Sequence, residues 1–190
     1  MTVEVDDARL GNLLGAAALG LGDAIGADAA AAAGLDTTTA TALITLLDLA
    51  RGGSIRSVSR LIGISHSGTV RLVNRMVDDG LITRRPGQDG RTLAVTLTRR
   101  GRSLAHRLRT DRAAAIGAAL DGLSAEQRKQ LASICVVMVG NLVTARLAAR
   151  GEAHEPAGGA LCRLCDPTTC GRAIGCCPAA AMAAAITERR

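Results

Sequence analysis

The stretch from Ser54 to Arg102 constrains this chain most, because two short helical patterns and a hairpin pattern follow one another with almost no connecting residues. Ser54-Ile-Arg-Ser-Val-Ser-Arg-Leu-Ile62 opens on a serine suited to cap a helix, and Ile55, Val58, Leu61 and Ile62 recur at the spacing of one buried helical face. Gly63 ends that helix and Ile64 fills the turn. Ser65 can cap a second helix running to Gly80, where a glycine takes the left-handed C-terminal position without steric cost. Val70, Leu72, Val73, Met76 and Val77 supply its inner side. After Gly80 the period shortens. Residues 81–85 and 92–97 are β-branched-rich runs, and Pro86-Gly-Gln-Asp-Gly-Arg91 between them has the Pro-Gly and Asp-Gly pairs of a hairpin loop.

Helix, turn, polar helix, hairpin and a new helix start is the order needed to lay one helix in a DNA major groove and a hairpin beside it. The pattern therefore predicts a winged helix-turn-helix. Ser67, Arg71, Asn74 and Arg75 fall opposite the apolar side of the second helix, and with Ser65 and Thr69 they are the candidate DNA contacts. Short hydroxyls and an amide can reach base edges, and guanidiniums suit guanine or phosphate. Arg84, Arg85 and Arg91 line the wing; an arginine at its tip has the reach to enter a narrow minor groove. Charge follows the same map. Between Arg51 and Arg112 there are 14 arginines and no lysine against 4 aspartates, a net +10, while the remaining residues carry a net −4. A basic charge this local points to a polyanionic partner.

Leu61-Ile-Gly-Ile-Ser65 leading into Thr69 and Arg71-Leu-Val-Asn-Arg75, then Gly80-Leu-Ile-Thr-Arg-Arg85, Asp89-Gly-Arg91 and Leu97-Thr-Arg-Arg-Gly-Arg102, resemble the MarR group of bacterial transcription regulators in order and spacing. The resemblance covers about residues 10 to 150, including Gly34-Leu-Asp36 before the family's second helix. It implies a mostly helical homodimer that binds pseudo-palindromic operators and loses DNA affinity on binding a small-molecule effector or on thiol oxidation. Two features depart from the family pattern: Gly68, early in the recognition helix, and everything after Gly151.

The chain has no Phe, Tyr or Trp, so Leu, Val, Ile and Ala must form its core. Such a protomer gains from sharing a core with a second copy, in agreement with the implied homodimer. The lack of aromatic rings also argues against single-strand or RNA binding by base stacking, which leaves duplex DNA. Glu4, Asp6 and Asp7 give the N-terminus no targeting character, and no apolar run is expected to reach membrane-spanning length. The longest uncharged run, 131–145, is interrupted by Asn141 and reads as an amphipathic helix. A cytoplasmic protein without membrane partners is expected.

The expected fold is mainly α with a small β-hairpin wing, a winged helix-turn-helix with N- and C-terminal dimerisation helices. Residues 1–150 form the main domain, with its DNA-binding core at about 37–102 and dimerisation helices at about 8–33 and 103–150. Within these, one helix is expected over 39–51 and another over 102–120, and Leu123-Ser-Ala-Glu-Gln127 gives the next a capping-box start. Leu131, Ile134, Cys135, Met138, Leu142 and Ala145 then form a stripe fit for a core or a dimer seam. Cys135 reads as packing, and His66, His106 and His154 lack metal-ligand spacing.

Residues 151–161 read as a linker and 162–190 as a Cys-rich tail. Cys162-x2-Cys165-x4-Cys170-x5-Cys176-Cys177 gathers five of the six cysteines, and a reducing compartment disfavours a disulfide staple. Four thiolates at these spacings can hold Zn²⁺ or an iron–sulfur cluster, with one of Cys176 or Cys177 spare, and a thiol–disulfide switch without metal is the other active reading. Arg163 and Arg172 would offset the anionic charge, and Asp166 could add a ligand or a hydrogen bond. The function expected is therefore that of a homodimeric, operator-specific DNA-binding regulator, a repressor, under metal or redox control at the cysteines. The alternative is an architectural DNA-binding protein with a structural zinc tail. No paired carboxylates, activated nucleophile or phosphate-cradling loop suggests an enzyme.

Overall fold

The computed structural model describes residues 6–87, 93–152 and 159–188. Asp6 accepts a hydrogen bond from Arg9 N at 2.7 Å and starts α1 (Asp7–Gly22), which continues through a π-helical turn, Asp23–Asp28, into α2 (Ala29–Ala32). Gly34, at φ 68°, turns the chain, and Asp36 caps α3 (Thr37–Asp48) by accepting from Thr39 N at 2.9 Å. The helix read from sequence as 39–51 thus begins two residues earlier, at the residue after its aspartate cap. Thr39, Ala40 and every residue from Ala42 to Leu47 are buried, the signature of a helix surrounded on all sides. It packs on α6 and α4 and on the wing.

The helix-turn-helix forms as read. Ser54 caps α4 (Ile55–Ile62), Gly63 ends it at φ 78°, and Ser65 caps α5 (His66–Asp78) by accepting from Gly68 N at 3.1 Å. Antiparallel β1 (Ile82–Pro86) and β2 (Leu93–Leu97) pair Ile82 with Leu97 and Thr83 with Thr96. Thr98 accepts from Gly101 N at 3.0 Å and so starts α6 (Arg99–Ala119) three residues before the start expected at Arg102. The reciprocal bonds of the expected capping box, Ser124 N to Gln127 Oε1 at 2.8 Å and Gln127 N to Ser124 Oγ at 3.2 Å, open α7 (Ala125–Glu152). Pro178 begins α8 (Pro178–Thr187).

The core is aliphatic throughout. Leu43, Val58, Val73, Met76, Leu81, Ile82, Val95 and Leu108 are fully buried, with the unbranched Met76 filling space an aromatic ring would usually take. A second cluster joins Val143 of α7 to Cys177 and Ala179, with Cys170 and Met182 against it. No residue of α1 is fully buried, and Leu10, Leu13, Leu14 and Leu19 face out. On α7, Leu131, Ile134 and Leu142 of the expected stripe are exposed, so that stripe is not a core of the single chain. By length and composition alone, α7 over Ala125–Arg150 is long and apolar enough to cross a membrane, which corrects the expectation that no segment is. Its charges sit toward the two ends, and Asn141 alone does not lower the apolar character of the span between them.

Candidate nucleic-acid interface and the cysteine module

Ser67, Arg71 and Asn74 recur at i, i+4 and i+7 on α5, and all three are exposed. Leu72, Val73 and Met76, on the opposite side of the helix, are buried against the core and fix which way it faces. Ser65 is exposed too, but its hydroxyl is occupied as the helix cap and lies 3.3 Å from Ser67 Oγ. Thr69 departs from the expectation of a DNA contact. It is 0 % exposed and its hydroxyl donates to Ser65 O at 2.9 Å, so it braces the first turn of the helix from inside.

Two further arginines are exposed and already engaged. Arg75 Nη2 lies 2.9 Å from Asp36 Oδ2 and 3.2 Å from Thr39 Oγ1, tying the recognition helix to the cap of α3. Burial pushes the Asp36 carboxyl up, but hydrogen bonds from Thr39 and the charge of Arg75 prevail and hold it below the ordinary carboxylate range. Arg84 of the wing donates to the amide oxygen of Asn74, so wing and recognition helix present one surface. Arg85 is exposed beside it. Arg91, expected at the wing tip, lies outside the described residues. Arg100 closes the back of this unit by donating to Asp79 O at 3.0 Å. Sequence reasoning missed both stitches, because Asp36 with Arg75 and Asn74 with Arg84 meet only once three elements have packed.

The tail is built onto this domain. Of the segment read as a linker, residues 151–152 continue α7, 153–158 lie outside the described residues, and Gly159 and Ala160 are held in place. Ala160 N donates to Leu61 O at 2.8 Å, and Arg146 Nη1 donates to Gly159 O at 2.5 Å. Thr45 Oγ1 donates to Arg163 O at 3.2 Å, and Arg109 Nη1 lies 2.7 Å from Asp48 and 3.8 Å from Asp166. The cysteines follow on two 3₁₀ turns, Leu161–Leu164 and Arg172–Ile174. Cys162, Cys165 and Cys170 are partly buried, Cys177 is 2 % exposed and Cys176 is exposed. Burial pushes the thiols of Cys165 and Cys170 up; Arg112 opposes this at Cys165. Burial and the neighbouring Arg146 weaken the hold of Arg163 on its proton.

A cavity of about 220 Å³ opens between the π-helical turn, α3, α6 and the tail, lined by Ile25, Thr37, Thr41, Ile44, Leu108 and Arg163 among others.

A basic second helix on a helix-turn-helix, stitched to a two-stranded wing, defines a winged-helix DNA-binding protein. Residues 33–92 match the MarR family model, and MarR-family proteins are among the solved structures that share the fold. The MarR family protein Rv2887 of Mycobacterium tuberculosis, solved with salicylic acid, is 29% identical over 68% of this chain and 96% of its own, with a TM-score of 0.52. The same protein solved with DNA aligns over 66% of this chain and 93% of its own at 25% identity and a TM-score of 0.53. RV1404 from M. tuberculosis shares the fold at 22% identity, with a TM-score of 0.59 over 72% of this chain and 94% of its own. No curated protein sequence matches the chain.

Proposed function

We propose that this chain is a homodimeric repressor that reads a pseudo-palindromic operator in duplex DNA and is controlled by metal or redox state at its C-terminal cysteines. The exposed face of Ser67, Arg71 and Asn74, joined to the wing through Arg84, carries the DNA-reading part. Side chains of this kind on one helical face can reach base edges in a major groove, while Arg85 and Arg91 supply the positive charge for the flanking backbone or minor groove. A repressor acts where the chromosome is, so the cytoplasm is its compartment. The cavity of about 220 Å³ is large enough for a small effector of the size of the salicylic acid seen with Rv2887.

Arg71→Ala is the test of base reading. It is expected to cost about 1–3 kcal/mol in operator affinity, roughly 5- to 150-fold, with a smaller loss on non-specific DNA at the same salt. Equal losses on both would move Arg71 to the phosphates, and a parent that ignores operator sequence would make the protein architectural.

Dimerisation is supported by the unpartnered apolar faces of α1 and α7. Because folding is then linked to association, the melting temperature is expected to rise with protein concentration. Light scattering that finds a stable monomer at micromolar concentration would contradict the dimer.

A further inference from the structure

We infer that Cys162, Cys165, Cys170 and Cys177 form a tetrathiolate site for a single zinc ion, with Cys176 outside it. This deepens the metal reading of the tail given above and rests on it. The turns are the first support. Cys165 N donates to Cys162 O at 3.0 Å and caps the 3₁₀ turn Leu161–Leu164, so the two cysteines are held one tight turn apart. Asp166 accepts from Thr168 N and Thr169 N and shapes the next turn, and Cys170 N donates to Asp166 O at 3.0 Å. Gly171 and Gly175, at φ 65° and 77°, then fold the chain back on itself, and Cys176 N donates to Gly171 O at 2.9 Å. The reversal separates the adjacent cysteines. Cys177 goes inward to pack with Cys170, whereas Cys176 stays exposed with its sulfur turned to Ile174 O. Cys162, Cys165 and Cys177 all lie close enough to Cys170 to act on its charge.

The second support is charge. Arg172 Nη1 lies 3.5 Å from Cys162 Sγ, Arg112 faces Cys165, and Arg163 is beside Cys162. None of these three arginines forms an ion pair with a carboxylate among the described residues, and Arg112 Nε is buried there without a hydrogen-bond partner. Arg172 is exposed, but Arg112 and Arg163 are partly buried, and partly buried guanidiniums need an anion. Zn²⁺ with four thiolates supplies one: the ion binds as four S–H protons leave for solvent, and the centre keeps a net charge of −2. A single tetrahedral ion with Zn–S bonds of about 2.3 Å needs its sulfurs close together, which suits Cys170 packed against buried Cys177, whereas an iron–sulfur cage holds its thiolates wider. Among the described residues no three His, Cys, Asp or Glu side chains already stand as a ligand set, so the ion has to draw the thiols inward from turns that are otherwise formed.

The full chain, reduced and stripped of metal, is titrated anaerobically with Zn²⁺ and separately with Co²⁺. The expected result is about one zinc per chain, release of about four protons per ion at a pH where the thiols are protonated, and the intense visible bands of tetrahedral cobalt thiolate. Cys176→Ser should match the parent. Cys162→Ser with Cys165→Ser should lose stoichiometric binding, as should Cys170→Ser, which tests the set independently of the buried Cys177. Zinc retained by the double variant, zinc lost with Cys176→Ser, or iron with acid-labile sulfide in the parent as isolated would each overturn the site. Operator affinity is measured in parallel. Zinc bound without any operator response upholds the site and removes the control proposed for it; operator binding intact in a chain that takes no zinc overturns the site alone.

Discussion

Gly101→Ala is expected to destabilise the protein by about 3–4 kcal/mol, although it adds a single methyl at a position with ordinary helical backbone. Gly101 lies in the first turn of α6, pressed flat against the backbone where α5 gives way to β1. A Cβ there would overlap the carbonyl oxygen of Leu81 and come within 2.9 Å of its carbon. Backbone on both sides leaves nothing flexible to yield. The same carbonyl accepts from Thr98 N at 3.0 Å and Thr98 Oγ1 at 3.1 Å, so moving α6 away also breaks the cap of that helix and the base of the wing. For a protein of this size the melting temperature should fall by roughly 6–16 °C. Gly117→Ala, in the same helix with nothing within 4 Å of the added carbon, is the control and should be neutral or stabilise by up to about 1 kcal/mol. A Gly101→Ala protein that melts with the parent would mean that α6 does not seat on the wing in this way.

The contrast between the two glycines marks what a sequence can and cannot disclose. Ser54, Gly63, Ser65, Gly80 and the Ser124–Gln127 box are local devices, each satisfied within a few residues, and the elements they delimit could be read directly, whereas the cap at Thr98 was passed over. The buried side of α5 was legible for the same reason, since periodicity is local. Thr69 was misplaced because a threonine on a polar helix looks like a contact until its neighbours show it turned inward. Three stitches, Arg75 to Asp36, Arg84 to Asn74 and Arg109 to Asp48, depend on tertiary packing and leave no trace in spacing. The exposed stripe of α7 could be found by period but not assigned to a core or a seam, since both have the same pattern. Cys176 and Cys177 are indistinguishable as letters, and the two left-handed glycines decide which of them turns inward.

Gly159→Ala is expected to uncouple operator binding from metal without removing the metal. Leu61 and Ile62 are the last residues of α4, the first helix of the helix-turn-helix, and a Cβ on buried Gly159 would overlap Leu61 O and stand 2.8 Å from both the carbonyl carbon and oxygen of Ile62. The residues that lead into the cysteine module therefore sit on the end of α4 only because this position has no side chain. Ala160 N and Arg150 Nη2 donate to the carbonyls of Leu61 and Arg60, which close that helix end, while Thr45 donates to Arg163 O and Arg109 bridges Asp48 of α3 to Asp166. If the proposed zinc draws the thiols of these preformed turns inward, the zinc-bound module would bias the position of α4 and, through Gly63 and Ile64, that of the recognition helix. A coupling of about 1–3 kcal/mol is typical of such linked sites and would appear as a roughly 5- to 150-fold change in operator affinity on removing zinc from the parent. In Gly159→Ala the change should fall to about twofold or less, with zinc stoichiometry retained because none of the thiols is touched. The methyl itself should cost about 1–3 kcal/mol, local to the docked segment. If parent and variant respond to zinc equally, the signal runs instead through α7, whose Val139, Val143 and Leu147 share one cluster with Cys170 and Cys177, and the contact at Leu61 only positions the tail.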